Sequence, residues 1–287
     1  MLAIYKKELR AYFNSIIGWL FIAFFLAFIG IYFFIYNLYN GNTFVGDALY
    51  SVGLIFILLV PMITMRMVAE ETKQKTDQLL LTSPVSVEKI ILGKYFAVAS
   101  VFGIVMLITC TYPLILSIYG EINFVMNYAA IAGFFLMGCA YLALGMFISA
   151  MTESQAFAAV LTFVVVLLTY LMDGIATLFS TSAKTAWLVH SFLLLLVAVI
   201  TWLMMKSKAV TGIFVLISQG CMLYIYIFNP TLLENSITKV LSWISVEARY
   251  VGFVNGILYM EDVVYYITFV ALFVFLTIQA IKKRRWN

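Results

Sequence analysis

The chain has 287 residues, 65% of them hydrophobic and only 10% charged, with a formal net charge of +4. That balance excludes a soluble globule, because too few polar side chains remain to coat its surface. No stretch is long and polar enough for a separate soluble domain, so residues 1–287 read as one integral membrane domain, an all-α polytopic helical bundle.

In chain order, residues 1–15 (MLAIYKKELRAYFNS) precede the first apolar run. Tyr5, Leu9, Tyr12 and Phe13 fall near one helical face and Lys6, Lys7 and Arg10 elsewhere, the pattern of a helix lying in the membrane interface. A positive flank that merely orients the first span is the alternative. The run over 16–36 exceeds the roughly 7–15 residues of a signal-peptide core, and no small-x-small site follows it, so it reads as a retained span. Seven further runs approach the ~20 residues that cross a bilayer: 48–65, 94–119, 127–151, 155–172, 186–205, 211–228 and 263–281. The expected count is therefore about eight transmembrane helices.

Charge placement orients them. With the N-terminus cytoplasmic, all Lys and Arg fall inside except Lys184, Lys239 and Arg249, which are three of 17. This is the positive-inside distribution, and it puts both termini in the cytoplasm. The fourth run is rich in Gly, Ala and Ser, which let helix backbones approach closely, so it should sit among its neighbours. Pro61 and Pro113 are expected kinks. Residues 229–262 are too polar to span and too apolar for a free loop; a re-entrant or interfacial extracytoplasmic segment is expected there.

The polar stretch over 66–94, RMVAEETKQKTDQLLLTSPVSVEKIILGK, is flanked by spans on both sides. Its front half reads as a helix running to Leu81, supported by Glu71 and Lys75 at i,i+4. Pro84 stops that helix, and Ser83 can cap a second one reaching about Gly93. The product is a cytoplasmic elbow whose leucines Leu79, Leu80 and Leu81 call for a protein partner as cover.

Chemistry is sparse. Gly93-Lys94 is followed by Tyr95 and no phosphate-cradling loop exists; there is no HExxH, no GxSxG and no Cys/His cluster. Cys110, Cys139 and Cys221 sit in apolar runs and read as packing residues, and His190 as structural. No enzyme activity, metal, cofactor or nucleic-acid partner is expected of this chain. Its spans also lack the mid-membrane charge that ion-coupled carriers use, so energy would come from a partner.

The elbow resembles the region after the second span of ABC type-2 permeases, the membrane subunits of ATP-driven exporters. The residues carrying the resemblance are Glu70, Glu71, Leu79, Leu80, Leu81, Thr82, Ser83, Pro84, Ile90, Ile91, Gly93 and Lys94. The ending, an aromatic-Gly segment, an acidic pair and a last span closing in KKRRW, is similar to the gliding-motility-type subgroup. Lys75-Thr76 departs from the Gly-Thr common at that turn, and the runs over 186–228 exceed the family's six-span core by two. The resemblance implies a cell-membrane permease in which the elbow is a coupling helix. ATPase contacts would then come from Glu70, Glu71, Lys75, Asp77, Leu79, Leu80, Leu81, Ser83, Pro84, Glu88, Ile90, Ile91 and Lys94. It further implies two copies of an ABC ATPase subunit that bind ATP and Mg, a second permease subunit (a homodimer or a related chain) in a lipid membrane, and room for an extracytoplasmic accessory protein. Two rival readings are an ABC-type complex that does mechanical or envelope-stress work without cargo, and an ion-coupled secondary carrier.

Overall fold

The computed structural model describes residues 1–75, 85–178, 182–205 and 208–286, and every regular element among them is helical. The chain divides into two compact units, Met1–Leu168 with Arg249–Asn287, and Thr169–Ala248.

The larger unit begins with α1 (Leu2–Asn14), followed at once by α2 (Ile16–Phe33), which ends in a π-helical turn, Phe34–Tyr39. Next come α3 (Gly46–Thr64), the short α4 (Ala69–Lys73), α5 (Val87–Thr109), α6 (Tyr112–Leu116), α7 (Phe124–Met151) and α8 (Gln155–Leu178), the last of which runs on into the second unit. After the second unit the chain returns as α12 (Tyr250–Val254) and α13 (Met260–Trp286).

The centre of this unit is α7. Of its most apolar stretch 78% is buried, against 33% for α2 and 22% for α13. The small residues expected to allow close packing do so. A Cβ on Gly138 would lie 2.3 Å from the Phe102 ring, and one on Gly145 would lie 2.5 Å from Thr64 Oγ1. Facing these gaps, Phe25, Phe56, Phe102 and Phe134 form a ring cluster with centroids 5.1–6.4 Å apart. Small residues on one helix thus make room for rings from three others, an arrangement that gains offset-stacking energy beyond simple area burial.

At the end of α7 where Asn123 caps the helix by accepting from Met126 N–H, Asn127 holds the α2–α3 connection: its Oδ1 accepts from Val45 N–H and its Nδ2 donates to the Thr43 carbonyl. On the same helix, Ala130 O accepts the Tyr250 hydroxyl of α12, whose Tyr250 and Phe253 are fully buried. Arg249 pairs with Asp262 at 3.1 Å and lies 5.3 Å from the Tyr265 ring centroid, which fixes the approach to α13. Pro61 sits in the last turn of α3 without breaking it, and Pro113 opens α6 after a pause at Cys110-Thr111, where a missing N–H costs nothing.

The smaller unit contains α9 (Ala183–Met205), α10 (Lys208–Phe228), a 3-10 turn Pro230–Leu232 and α11 (Ser236–Ile244). Its core joins Ala186, Leu233 and Ile237, with Trp187 5.5 Å from Tyr226, and Gln219 Nε2 donates to the Ser191 carbonyl. His190 Nδ1 lies 2.8 Å from the Ala186 carbonyl four residues back, a local structural contact.

Among the described residues six helices are long and apolar enough to cross a membrane: Ile16–Tyr39, Gly46–Lys73, Val87–Leu116, Phe124–Met151, Gln155–Leu178 and Met260–Lys283. The two further spans expected over 186–228 fall on α9 and α10. There the described apolar pieces are the short Ala183–Leu195 and the pair Phe214–Phe228 and Pro230–Ile244, bent by 111°. Counting that pair as one crossing gives seven. Pro230 cannot continue a helix from Asn229, and the bend follows.

Two predictions follow from this packing. Gly145→Leu drives a side chain into Thr64 and lowers stability in detergent by about 1–3 kcal/mol, whereas Gly174→Ala, inside α8 with open space around it, does not lower the melting temperature and raises it by at most the helix-propensity gain of about 0.5–1 kcal/mol. Glu247, 5% exposed with neither carboxylate oxygen hydrogen-bonded, has its pKa pushed up to about 8 by burial. A raised acid pKa means the folded state holds the proton, so this contribution is whole below about pH 4.5 and lost as pH rises through 8. Glu247→Gln should therefore remove a fall in melting temperature between about pH 4.5 and 8, with a gain on the order of 2 kcal/mol above that window.

Candidate functional site

The elbow joins α3 to α5, and its described portions are 66–75 and 85–94. Its first helix differs from the expected run to Leu81. It ends at Lys73, because Lys75 adopts a left-handed backbone, φ +56°, donating its N–H to the Thr72 carbonyl. A single left-handed residue terminates a helix by turning the next carbonyls away from it. The expected Glu71–Lys75 pair is consequently absent, and Glu71 has other partners. The return also differs: one continuous helix starts at Val87, with Ser86 in extended conformation before it, and passes Gly93 without a break. Lys94 thus belongs to the same rod as the membrane span.

Three elements grip the base of the elbow. From α7, Ser149 Oγ accepts the backbone N–H groups of Val68 and Ala69 at 3.2 and 3.1 Å and donates to the Met65 carbonyl. One buried hydroxyl therefore caps α4 and closes the end of α3, satisfying donors that a helix start leaves open. From α1, the Tyr12 hydroxyl donates to the Ile63 carbonyl, and burial, reinforced by Glu8, pushes its pKa up, so it stays a donor. From α13, Lys282 pairs with Glu88 at the surface.

The strongest of these links is ionic. Lys94 Nζ lies 2.8 Å from Glu71 and 3.2 Å from Glu8, with a side chain only 3% exposed; the two carboxylates are 17% and 14% exposed. Lys7 closes the group at 3.6 Å from each acid. A cation taken from water needs such partners, since a buried charge without one is costly. The cluster ties α1, α4 and α5 together. Arg66 separately holds Glu70 through two contacts, 2.7 and 3.2 Å.

The residues singled out in the sequence thus separate by position. Lys75 and Glu88 present polar groups at the surface. Glu70 and Glu71 are committed to ion pairs, and Ile90, Ile91 and Lys94 are 5%, 1% and 3% exposed, inside the base of the elbow. Asp77, Leu79, Leu80, Leu81, Ser83 and Pro84 lie outside the described residues. Sequence reasoning missed Glu8, Lys282 and the capping role of Ser149. Glu8 had a visible signal: it is the sole acidic residue before Asp47. Among the described residues no cluster of His, Cys, Asp or Glu could hold a metal ion, and Cys110, Cys139 and Cys221 are unpaired.

A family model described as ABC-2 family transporter protein matches residues 31–193, more than half of the chain, including the whole elbow and α7. The chain belongs to the ABC-2 transporter family. No curated protein matches it closely enough to count as a relative. Family membership, with several apolar membrane-length helices, makes this a multi-pass permease of the cell membrane, and the elbow is the polar connection between two of its central spans.

Replacing Lys94 by Met removes the buried cation between Glu8 and Glu71, leaving the exposed Lys7, and should cost the ABC-2 permease about 3 kcal/mol in unfolding measurements. Adding Glu71→Gln to that variant should recover part of the loss, a coupling that a double-mutant cycle reads directly.

Proposed function

We propose that this permease is the non-catalytic membrane subunit of an ATP-driven ABC exporter, and that its elbow receives the force generated by a separate ATPase subunit. The observation that carries this reading is the buried Lys94 cluster. It makes the base of the elbow continuous with α1 and α5, so a push on the projecting part is passed to a span instead of being absorbed by a loose loop. Ser149 passes the same push to α7.

In this mechanism the polar surface at Lys75 and Glu88 and the leucines Leu79, Leu80 and Leu81 meet the ATPase. Glu70, Glu71, Ile90, Ile91 and Lys94 keep the lever rigid behind them. Closure of two ATPase copies around ATP and Mg would tilt α3 and α5 in each of two permease subunits. Both termini and the elbow lie on the cytoplasmic side, in accord with the excess of Lys and Arg there. Direct contact of Lys94 with Glu8, and of Lys282 with Glu88, supports one face for all three. The closing segment, Tyr250 onward, supports placement in the gliding-motility-type subgroup.

The test is a pull-down of the tagged full chain from its native membrane, with ATPase activity and transport measured. Leu80→Asp with Leu81→Asp should lose the ATPase and at least tenfold of transport while insertion is retained. An unchanged complex in that variant would move the contact elsewhere. Intact ATPase coupling without any cargo would favour the reading of an ABC complex doing mechanical work on the envelope.

A further inference from the structure

The larger unit carries an open apolar groove of about 730 Å³ between α1, α5, α7 and α13, with Tyr5, Phe96, Gly103, Leu107, Phe135 and Ile267 among its lining residues. From Leu92 to Leu107 along α5 it extends roughly 22 Å at 1.5 Å per residue, longer than the ~15 Å of one leaflet's hydrocarbon. Its wall is dry. The Tyr5 hydroxyl is hydrogen-bonded to Ser100 Oγ at 2.9 Å, and the Tyr95 hydroxyl donates to the Cys139 carbonyl. An occupant therefore finds apolar contacts along the walls and few free polar groups.

The end of the groove at α1 is different. Tyr5 and Leu9 face the groove, while Lys6 and Arg10, one position on in each case, are exposed on the adjoining face of the same helix. Among the described residues neither has a carboxylate partner, in contrast to Lys7. Lys6, Lys7 and Arg10 line a shallow cleft with Ala3, Ala11 and Asn14. A long apolar slot that ends beside two unpaired cations at interface depth has the shape and charge of one molecule class.

We infer that this groove is a site for one anionic phospholipid, with an acyl chain lying along α5 between Phe96 and Leu107 and its phosphate against Lys6 and Arg10. The lipid would seat α1 on the bundle beside the Lys94 cluster. This site does not depend on the ATPase reading.

The delipidated, purified full chain is titrated with dioleoyl phosphatidylglycerol and, separately, dioleoyl phosphatidylcholine, and bound lipid is counted by native mass spectrometry. One phosphatidylglycerol should bind at least tenfold more tightly than phosphatidylcholine. Lys6→Gln with Arg10→Gln should abolish the preference, weakening phosphatidylglycerol at least tenfold and phosphatidylcholine by less. Gly103→Phe, which fills the slot, should weaken both lipids at least tenfold; if it does not fold, Leu107→Trp at the exposed rim takes its place. Equal binding of the two lipids by the unaltered chain, or binding indifferent to the filled slot, would overturn the site. Chain-to-chain disulfides formed in the membrane by Phe96→Cys would do so as well, by assigning the groove to a second copy.

Discussion

Everything in the larger unit depends on how closely other helices can approach α7. A membrane interior offers no water to drive helices together, so association rests on van der Waals contact and on hydrogen bonds that hydrocarbon cannot replace. Glycine at 138 and 145 removes the side chains that would hold Phe102 and Thr64 away. Asn127 and Ser149 then supply polar anchors near the two ends of the same rod. Packing in the middle and hydrogen bonds at the ends give α7 fixed relations to α3 and to the elbow.

Against that fixed rod the elbow has a division of labour. Its buried residues, Ile90, Ile91 and Lys94, serve continuity, and Lys75 and Glu88 lie at its surface, where the proposed ATPase contact would fall. The same short stretch can do both because α4 and the start of α5 are each held at their base by elements distant in the chain. Tyr12 and Glu8 come from the first turns of the protein, Ser149 from α7 and Lys282 from the last helix. No one of these contacts is large, and their value is that they converge.

Much of this was legible in the sequence. Apolar runs of membrane length located the helices, the Gly- and Ala-rich run marked α7 as central, and α1 was visible in the spacing of Tyr5, Leu9 and Tyr12. The elbow was located by polarity, but its internal structure was not readable. Gln74-Lys75 holds no glycine, the usual marker of a left-handed residue; the one hint was that Lys75 stands where the resembling permeases commonly have Gly. The pairing of Glu71 was misassigned for a related reason: a pattern four residues apart is apparent in a string, whereas Lys94 and Glu8 are 86 positions apart. Lysine at a membrane boundary reads as surface, and only its two distant acids make burial tolerable. The pair of spans read over 186–228 falls on α9 and α10; hydropathy does not register the 111° bend that follows α10 at Pro230.

The two ion-pair settings at the elbow respond differently to their solvent. At physiological ionic strength the Debye length is about 8 Å, and counter-ions reach an exposed pair but not a buried one. Glu88 and Lys282 are 42% and 40% exposed, whereas Lys94 is 3% exposed. Salt therefore loosens the tie between the elbow and the C-terminal helix while leaving the tie to the N-terminal helix intact. The protein has one joint tuned by its ionic environment and another insulated from it.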